Sequence, residues 1–468
     1  MQHKASPAAR GGADLGNDSI GGLLFKLALP AIVAQLINVL YNMVDRMYIG
    51  HLPEIGETAL TGVGVCFPLI TAISAFAALV SMGGAPRASI FLGRGDKEMA
   101  ERILGNCATA LVAVGLILTV VFYLFGYQLL QLFGASPETI GYSWEYFRLY
   151  LVGTIFVQVS LGLNAFINAQ GYALVGMLTV IIGAVLNIIL DPVFMFGLGM
   201  GVSGAALATI LSQAVSAAFT VWFLCSRHTY LRLKVKNFRP VAKTLVPSLV
   251  LALSPFLMQL TESVIQISFN TQLQLYGGDV AVGAMTILSS VMQFCMLPLQ
   301  GLTQGAQPIS SFNFGAGKID RVVRTFRVLM LACVGYSTAM WLVCEFAPQL
   351  IIGIFTPPDG TLGIYTKTAL RIYMGACCIF GAQTACQQTF VALGKAGVSL
   401  FLAVLRKIIL LVPLIFLLPH ILPISQDIAV FTAEPVADTL AVICTCTMFA
   451  IVFGKIVRDW KAKQKTNV

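Results

Sequence analysis

"LALPAIVAQL", residues 27–36, returns as "LALSPFLMQL", residues 251–260. The echo continues further along the chain. "SIFLGRGDKEMAERIL" (89–104) is answered by "SSFNFGAGKIDRVVRTF" (310–326), and "YFRLY" (146–150) by "ALRIY" (369–373). The chain therefore reads as a duplication, and its fold follows from what one copy holds. Each copy contains six long apolar runs. Six is even, so both copies enter a bilayer in the same direction. Two six-helix bundles related by a pseudo-two-fold axis along the membrane normal are predicted, with a cleft between them.

Composition puts those runs in a membrane. Of 468 residues, 57% are hydrophobic and only 10% charged, against about 25% charged in soluble domains; the mean hydropathy is +0.86. The fold class is an all-α polytopic membrane protein with twelve spans: 23–50, 59–82, 104–126, 146–168, 174–197, 203–225, 245–275, 281–305, 326–346, 368–392, 397–419 and 434–456. The first run is too long, and too polar at its end, for a cleaved signal peptide. Residues 1–22 read as a loose arm, 23–225 as the N-terminal bundle, 226–243 as a basic linker, 244–457 as the C-terminal bundle and 458–468 as a basic tail.

Most of the 29 lysines and arginines fall on one side of this arrangement. They include Lys4, Arg10 and Lys26, then Arg87 to Arg102, the stretch 227–243, Lys318 to Arg327, Lys395, and the final helix end from Lys455 onward. This is a positive-inside pattern that places both termini in the cytoplasm and the protein in the cytoplasmic (inner) membrane. The net charge of +9 sits in short loops beside apolar runs, which argues against a nucleic-acid surface. Eleven cysteines are scattered through the spans and four histidines lie far apart in sequence, so no zinc spacing or disulfide framework emerges. The loops also lack an aqueous catalytic cluster, and a two-bundle cleft suits alternating access better than a channel. A transporter, not an enzyme, is expected.

An acid inside a span is costly and marks function by default. Asp191 stands in "LNIILDPVFMFG" (186–197), directly before a proline. Asn187 is one turn earlier on the same face, and Pro192, having no N–H, frees the Ile188 carbonyl. Thr209, six residues into the next span, lies at the same depth as Asp191, roughly 9 Å below the outer edge, and Asp45, five residues from the outer end of the first span, lies at similar depth. A carboxylate, an amide oxygen, a hydroxyl and a second carboxylate form a set that suits Na⁺, or a proton shared between two acids. The competing structural reading is that Asp191 only caps a kinked backbone. Asn38, Tyr41 and Asn42 lead up to Asp45 as a polar stripe, read as a cavity wall. Glu262, at the position equivalent to Asn38, is flanked by Gln259 and Gln266 and is a candidate contact for a cationic substrate. The counterparts of Asp45 and Asp191 in the second copy are apolar, near Phe269 and Leu410, so the ion site belongs to the first. Arg46, Arg406 and Lys407 are intramembrane cations open to pairing or snorkelling.

At these residues the chain resembles the multidrug and toxic compound extrusion (MATE) family, in particular its MepA-like and DinF-like branch. The likeness rests on "LALPAIVAQLINVLYNMVD" with "MYIGH", "LGRGDKEMAERIL", "NIILDPVFMFGLGMGVSGAALAT" and "VLRKIILLVPLIFLLP". It implies two six-helix bundles and export of organic cations against a Na⁺ or H⁺ gradient. It also implies an ion site at Asp45, Asn187, Asp191 and Thr209, and a first span that bends at Pro30, alongside Pro192 in the fifth. An acid in the seventh span, here Glu262, marks the norfloxacin-exporter-like branch. The reading is thus a secondary active multidrug antiporter of small lipophilic, often cationic, molecules, acting as a monomer without cofactor and with no metal beyond a Na⁺ on those four residues. The alternatives are a lipid-linked saccharide flippase, whose cavity must be strongly cationic, and a membrane enzyme or channel.

Overall fold

The computed structural model describes residues 12–466, without the side chains of Ser263 and of 463–466. Lys4 and Arg10 of the expected arm lie outside the described residues. Nine helices among the described residues are long and apolar enough to cross a bilayer. One of them, Ala242–Gly315, runs 74 residues and turns at Gly278 to φ 62°, ψ −158°, so it supplies two spans. The pair Ile140–Val152 and Thr154–Ala169, bent by 57°, supplies another. Thr361–Tyr373 with Cys377–Ala392 completes twelve.

Numbered along the chain, α1 is Ile20–Gly50, α2 Gly56–Gly93, α3 Lys97–Leu132 and α4 the bent pair from Ile140. Helix α5 is Ala173–Pro192 continued by a π-helical turn, Val193–Gly197, and α6 is Gly201–Cys225. Helices α7 and α8 are 242–277 and 279–315, and α9 is Ile319–Phe346. Helix α10 is the pair from Thr361. Helix α11 runs Ala396–Val404, a π segment Leu405–Leu411, and Val412–Ile421; α12 is Gln426–Thr466. Helix α12 thus carries straight through the described part of the segment expected as a separate tail.

The duplication is visible in the turns. Gly95 (φ 78°) closes α2 and Gly317 (φ 73°) closes α8, at matching places in "LGRGDKEM" and "FGAGKIDR". A left-handed residue just past a helix end is cheap only for glycine. In the first copy, Asp96 then caps α3 by accepting from the Met99 N–H at 3.0 Å.

Each bundle keeps its own apolar core. A further cluster, including Leu24, Leu27, Ala28, Ala173, Leu299 and Ala306, joins α1 and α5 to α8. The bundles meet closely on the side of the basic loops. A Cβ on Gly93 would lie 2.0 Å from the Phe312 carbonyl oxygen, and one on Gly315 would lie 1.9 Å from that of Ile90. These two contacts exchange α2 and α8, as a two-fold axis requires. Gly83 against Ser248 and Gly305 against Ala28 repeat the exchange one level deeper. Small residues allow such backbone approach where lipid offers no hydrophobic drive for helix association. The seam therefore shuts the basic side, and the cleft opens on the opposite face.

Two expected segments are more ordered than predicted. Residues 12–18, assigned to a loose arm, form a strap across the seam, with Ala13 and Leu15 buried. The Ala13 N–H donates to Gly171 O (3.3 Å), between α4 and α5. The Leu15 carbonyl accepts from Asn313 Nδ2 at 2.7 Å, and the Asp18 carbonyl from Arg321 Nη2 at 2.7 Å, in the other bundle. The basic linker is pinned to the N-terminal bundle: Glu101 holds Lys234 Nζ at 2.5 Å, and Asn106 donates to Asn237 O at 2.9 Å.

Gly315→Ala should lower the Tm of the purified protein, at a cost of about 1–3 kcal/mol for overpacking. Gly335→Ala, where a Cβ meets nothing within 4 Å, should leave Tm unchanged or slightly higher. Equal behaviour of the two variants in a thermal melt would contradict the seam.

Candidate ion site and chambers

Asp45 comes from α1, Asn187 and Asp191 from α5, and Thr209 from α6. The structure brings all four together. Asn187 Nδ2 donates to Asp191 Oδ1 at 3.1 Å and to Thr209 Oγ1 at 3.4 Å. The Thr209 hydroxyl donates onward to the Ala205 carbonyl at 3.0 Å. The carboxyl groups of Asp45 and Asp191 lie close enough to act on each other electrostatically. Asp45 is 8% exposed, Asn187 2% and Asp191 0%. Three buried oxygens have no donor: Asp45 Oδ1, Asp191 Oδ2 and Asn187 Oδ1. Buried oxygens left unsatisfied are expensive, and two adjacent carboxylates in low dielectric resist joint ionisation. One proton or one Na⁺ would supply what this group lacks.

Local sequence explains the placement. Helix α5 is regular as far as Pro192, then widens into the π turn Val193–Gly197, where the Leu198 N–H reaches back to Val193 O at 2.9 Å. π-helical turns of this kind occur often at functional sites. Helix α1, by contrast, runs as one helix through Pro30, which is buried.

Two cavities lie along α1. The inner one, about 300 Å³, is walled by amides: Asn38, Asn164, Asn187, Gln213, Gln259 and Gln304. Thr209 and Tyr41 also line it, so the ion site opens onto this chamber. The outer one, about 720 Å³, is lined by Met43, Met47 and Phe67 together with Asn42 and Arg46. Arg46 stacks over Phe67, 4.8 Å from the ring centroid. Asn38, Tyr41 and Gln213 line both cavities and join them.

Not every expected wall residue faces a cavity. Gln266 lines neither; its amide donates to Asn270 Oδ1 (3.3 Å) and accepts from Ser289 Oγ (3.1 Å), tying α7 to α8. Glu262 also lines neither and is bonded to Lys407. Conversely, Tyr146 was passed over. It is buried beside the site, within electrostatic reach of Asp45 and Thr209, and its ring stacks on Tyr150 with centroids 6.2 Å apart. Both tyrosines stand in "YFRLY", where their helical spacing was the available signal. Glu434 and Asp438, buried partners of Arg406, were also missed.

The MatE family model matches this chain twice, over residues 30–193 and 255–417, once in each bundle. The chain belongs to the MatE family. The two matches contain Asp45, Asn187, Asp191, Glu262, Arg406 and Lys407, whereas Thr209 falls between them. Among curated relatives, the multidrug export protein MepA of Staphylococcus haemolyticus is 25% identical over 424 residues, covering 90% of this chain and 92% of the relative. A Staphylococcus aureus MepA is 23% identical over 442 residues, covering 93% and 94%. Among solved structures, a crystal structure of MATE in the bent conformation superposes with TM-score 0.89 at 22% identity, covering 95% of this chain and 98% of that one. An outward-facing multidrug resistance MATE transporter superposes with TM-score 0.86 at 23% identity, covering 94% and 97%. The MatE fold of twelve spans in two bundles is thereby the fold of this chain.

If the orphaned oxygens take a cation, that cation stabilises the folded protein by about 2.7 kcal/mol at a hundred times its dissociation constant. Tm should rise with added Na⁺, or with falling pH in Na⁺-free buffer, and Asp45→Asn/Asp191→Asn should abolish the rise. A melt insensitive to both ions would show that no cation is held there.

Proposed function

We propose that this MatE-family protein is a secondary active multidrug exporter that moves small amphipathic, often cationic, molecules out of the cell in exchange for Na⁺ or H⁺. One observation carries the reading. Helix α1 holds Asp45 of the ion site, lines both chambers through Asn38 and Tyr41, and packs at the inner seam, where Gly305 abuts Ala28 and Gly301 abuts Ile32. Taking up a cation at Asp45/Asp191 changes the charge on a helix that touches substrate space and the seam together and itself carries one of the two acids.

Coupling needs a ligand that binds two conformations unequally. In this conformation the basic face is shut and the outer chamber is open, so substrate leaves outward from the outer chamber. A cation arriving from outside meets the unsatisfied oxygens of Asp45, Asp191 and Asn187. Once neutral, the pair no longer repels, α1 and α5 close on each other, and the seam is free to open inward. The amides of the inner chamber offer donors and acceptors to the polar parts of a substrate; Met43, Met47 and Phe67 offer apolar contact and ring faces to the rest. The names of the relatives support drugs as cargo. The positive-inside pattern supports the cytoplasmic membrane with both termini inside. Both bundles lie in one chain, so a monomer suffices, and the coupling ion takes the place of any cofactor.

The flippase alternative requires free cations in the cavity to hold pyrophosphate. Arg406 and Lys407 are both bonded to carboxylates, which leaves Arg46 as the one of the three intramembrane cations in a chamber wall, too little charge for a pyrophosphate.

In proteoliposomes, ethidium export should follow an imposed Na⁺ gradient or pH gradient and saturate with dye. Asp191→Asn should cut gradient-driven export to background while the protein stays folded and membrane-inserted. Full export by that variant, or dye movement independent of any gradient, overturns the reading.

A further inference from the structure

The C-terminal bundle carries a second charged group that the ion site does not use. Arg406 and Lys407 sit in the π segment of α11. Arg406 Nε is bonded to Asp438 Oδ1 at 2.6 Å and its Nη2 to Glu434 Oε1 at 3.1 Å, both from α12. Its guanidinium also lies 4.6 Å from the Phe380 ring centroid. Lys407 Nζ is bonded to Glu262 of α7 and donates to the Met258 carbonyl at 3.3 Å. The two cations and the α12 acids are buried, whereas the Glu262 side chain is 68% exposed.

Charge bookkeeping separates these five groups. Arg406 and Lys407 bring two positive charges; Glu434 and Asp438 bring two negative ones. The buried set is neutral without Glu262. A buried ion pair broken from one side normally strands a charge at a cost of several kcal/mol. A second carboxylate near Lys407 would avoid that cost. Glu434 Oε2 is buried and, among the described residues, has no hydrogen-bond partner, and Glu434 and Asp438 both act on Lys407 electrostatically. Glu262 is the one exposed carboxylate of the group, so its release leaves no buried acid unpaired. It lies one turn along α7 from Gln259, a wall residue of the inner chamber. Its side chain is exposed one turn beyond that wall, outside both chambers, and an acid that faced lipid would be costly.

We infer that Lys407 is a tethered counter-cation that occupies Glu262 until a cationic substrate displaces it onto Glu434, making Lys407 the residue that sets how strongly a positive charge is selected. This rests on the export reading. Removal of the ammonium leaves Glu262 vacant for the substrate's charge and raises affinity for cations alone.

The test measures binding of ethidium, a cation, and Nile red, which is uncharged, to the purified full-length protein in nanodiscs. Lys407→Gln should lower the Kd for ethidium roughly tenfold and leave that for Nile red unchanged; Lys407→Arg should behave as wild type. In a Glu262→Gln background the Lys407→Gln effect should vanish, as a double-mutant cycle requires for a direct pair. Ethidium affinity that is unchanged or weaker in folded Lys407→Gln, or a gain that survives Glu262→Gln, overturns the inference. Should Lys407→Gln not fold, Glu434→Gln tests the second carboxylate. It should weaken ethidium roughly tenfold and spare Nile red, and equal affinities would overturn the proposal. Wild-type protein that neither binds nor exports ethidium overturns the export reading and this inference together; wild type that does both, with variants that fail as stated, overturns this inference alone.

Discussion

Asp45 and Asp191 lie close together inside a membrane protein with three nearby oxygens short of a donor. In water this would mean little. In an apolar slab, polar groups must be satisfied internally, and a pair of acids has no donor to give unless one is protonated. The arrangement persists because the helices around it are fixed elsewhere: α5 by its packing on α1 and α6, and α1 by the seam with α8. The local deficit is held in place by packing some distance away. Any cation that fills it acts on the contacts that α1 makes along its whole length.

The second bundle solves the same problem differently. Its fifth helix, α11, also loosens into a π segment, as α5 does after Asp191. Where the first bundle leaves oxygens open, the second supplies Arg406 and Lys407 and answers them with Glu434 and Asp438. One scaffold, duplicated, therefore carries an electrostatically unfinished site in one half and a nearly finished one in the other. Shared turns at Gly95 and Gly317, and the exchanged contacts of Gly93 and Gly315, show that the backbone kept its symmetry while the charges diverged.

Much of this was legible in the residues. Twelve apolar runs, an even split and basic loops on one side lead to two parallel bundles. Asp45, Asn187, Asp191 and Thr209 were legible as a set because helix geometry converts sequence spacing into depth and face. Depth fails where partners come from helices distant in sequence. Gln266 looked like a cavity residue by its spacing from Glu262, yet its face turns to Ser289 of α8. Glu434 stands at the first residue of its expected span, where no local pattern marks it, yet a helix longer than the apolar run carries it into the bundle beside Arg406. Residues 12–18 read as polar and Gly-rich, yet their carbonyls are held by Asn313 and Arg321. In each case the deciding partner lies on a different span.

The sequence by itself determined the class, the count of spans, the duplication and the acids of the first bundle, because hydropathy, periodicity and charge placement are properties of a chain read along its length. Only the tertiary structure decided which face of the molecule is shut, which amides line the chamber, and that Lys407 rests on Glu262 rather than snorkelling to a headgroup. Those depend on the rotation and approach of helices packed across two bundles. A Cβ that would fall 1.9 Å from a carbonyl on another helix is a distance between segments hundreds of residues apart, and no local pattern encodes it.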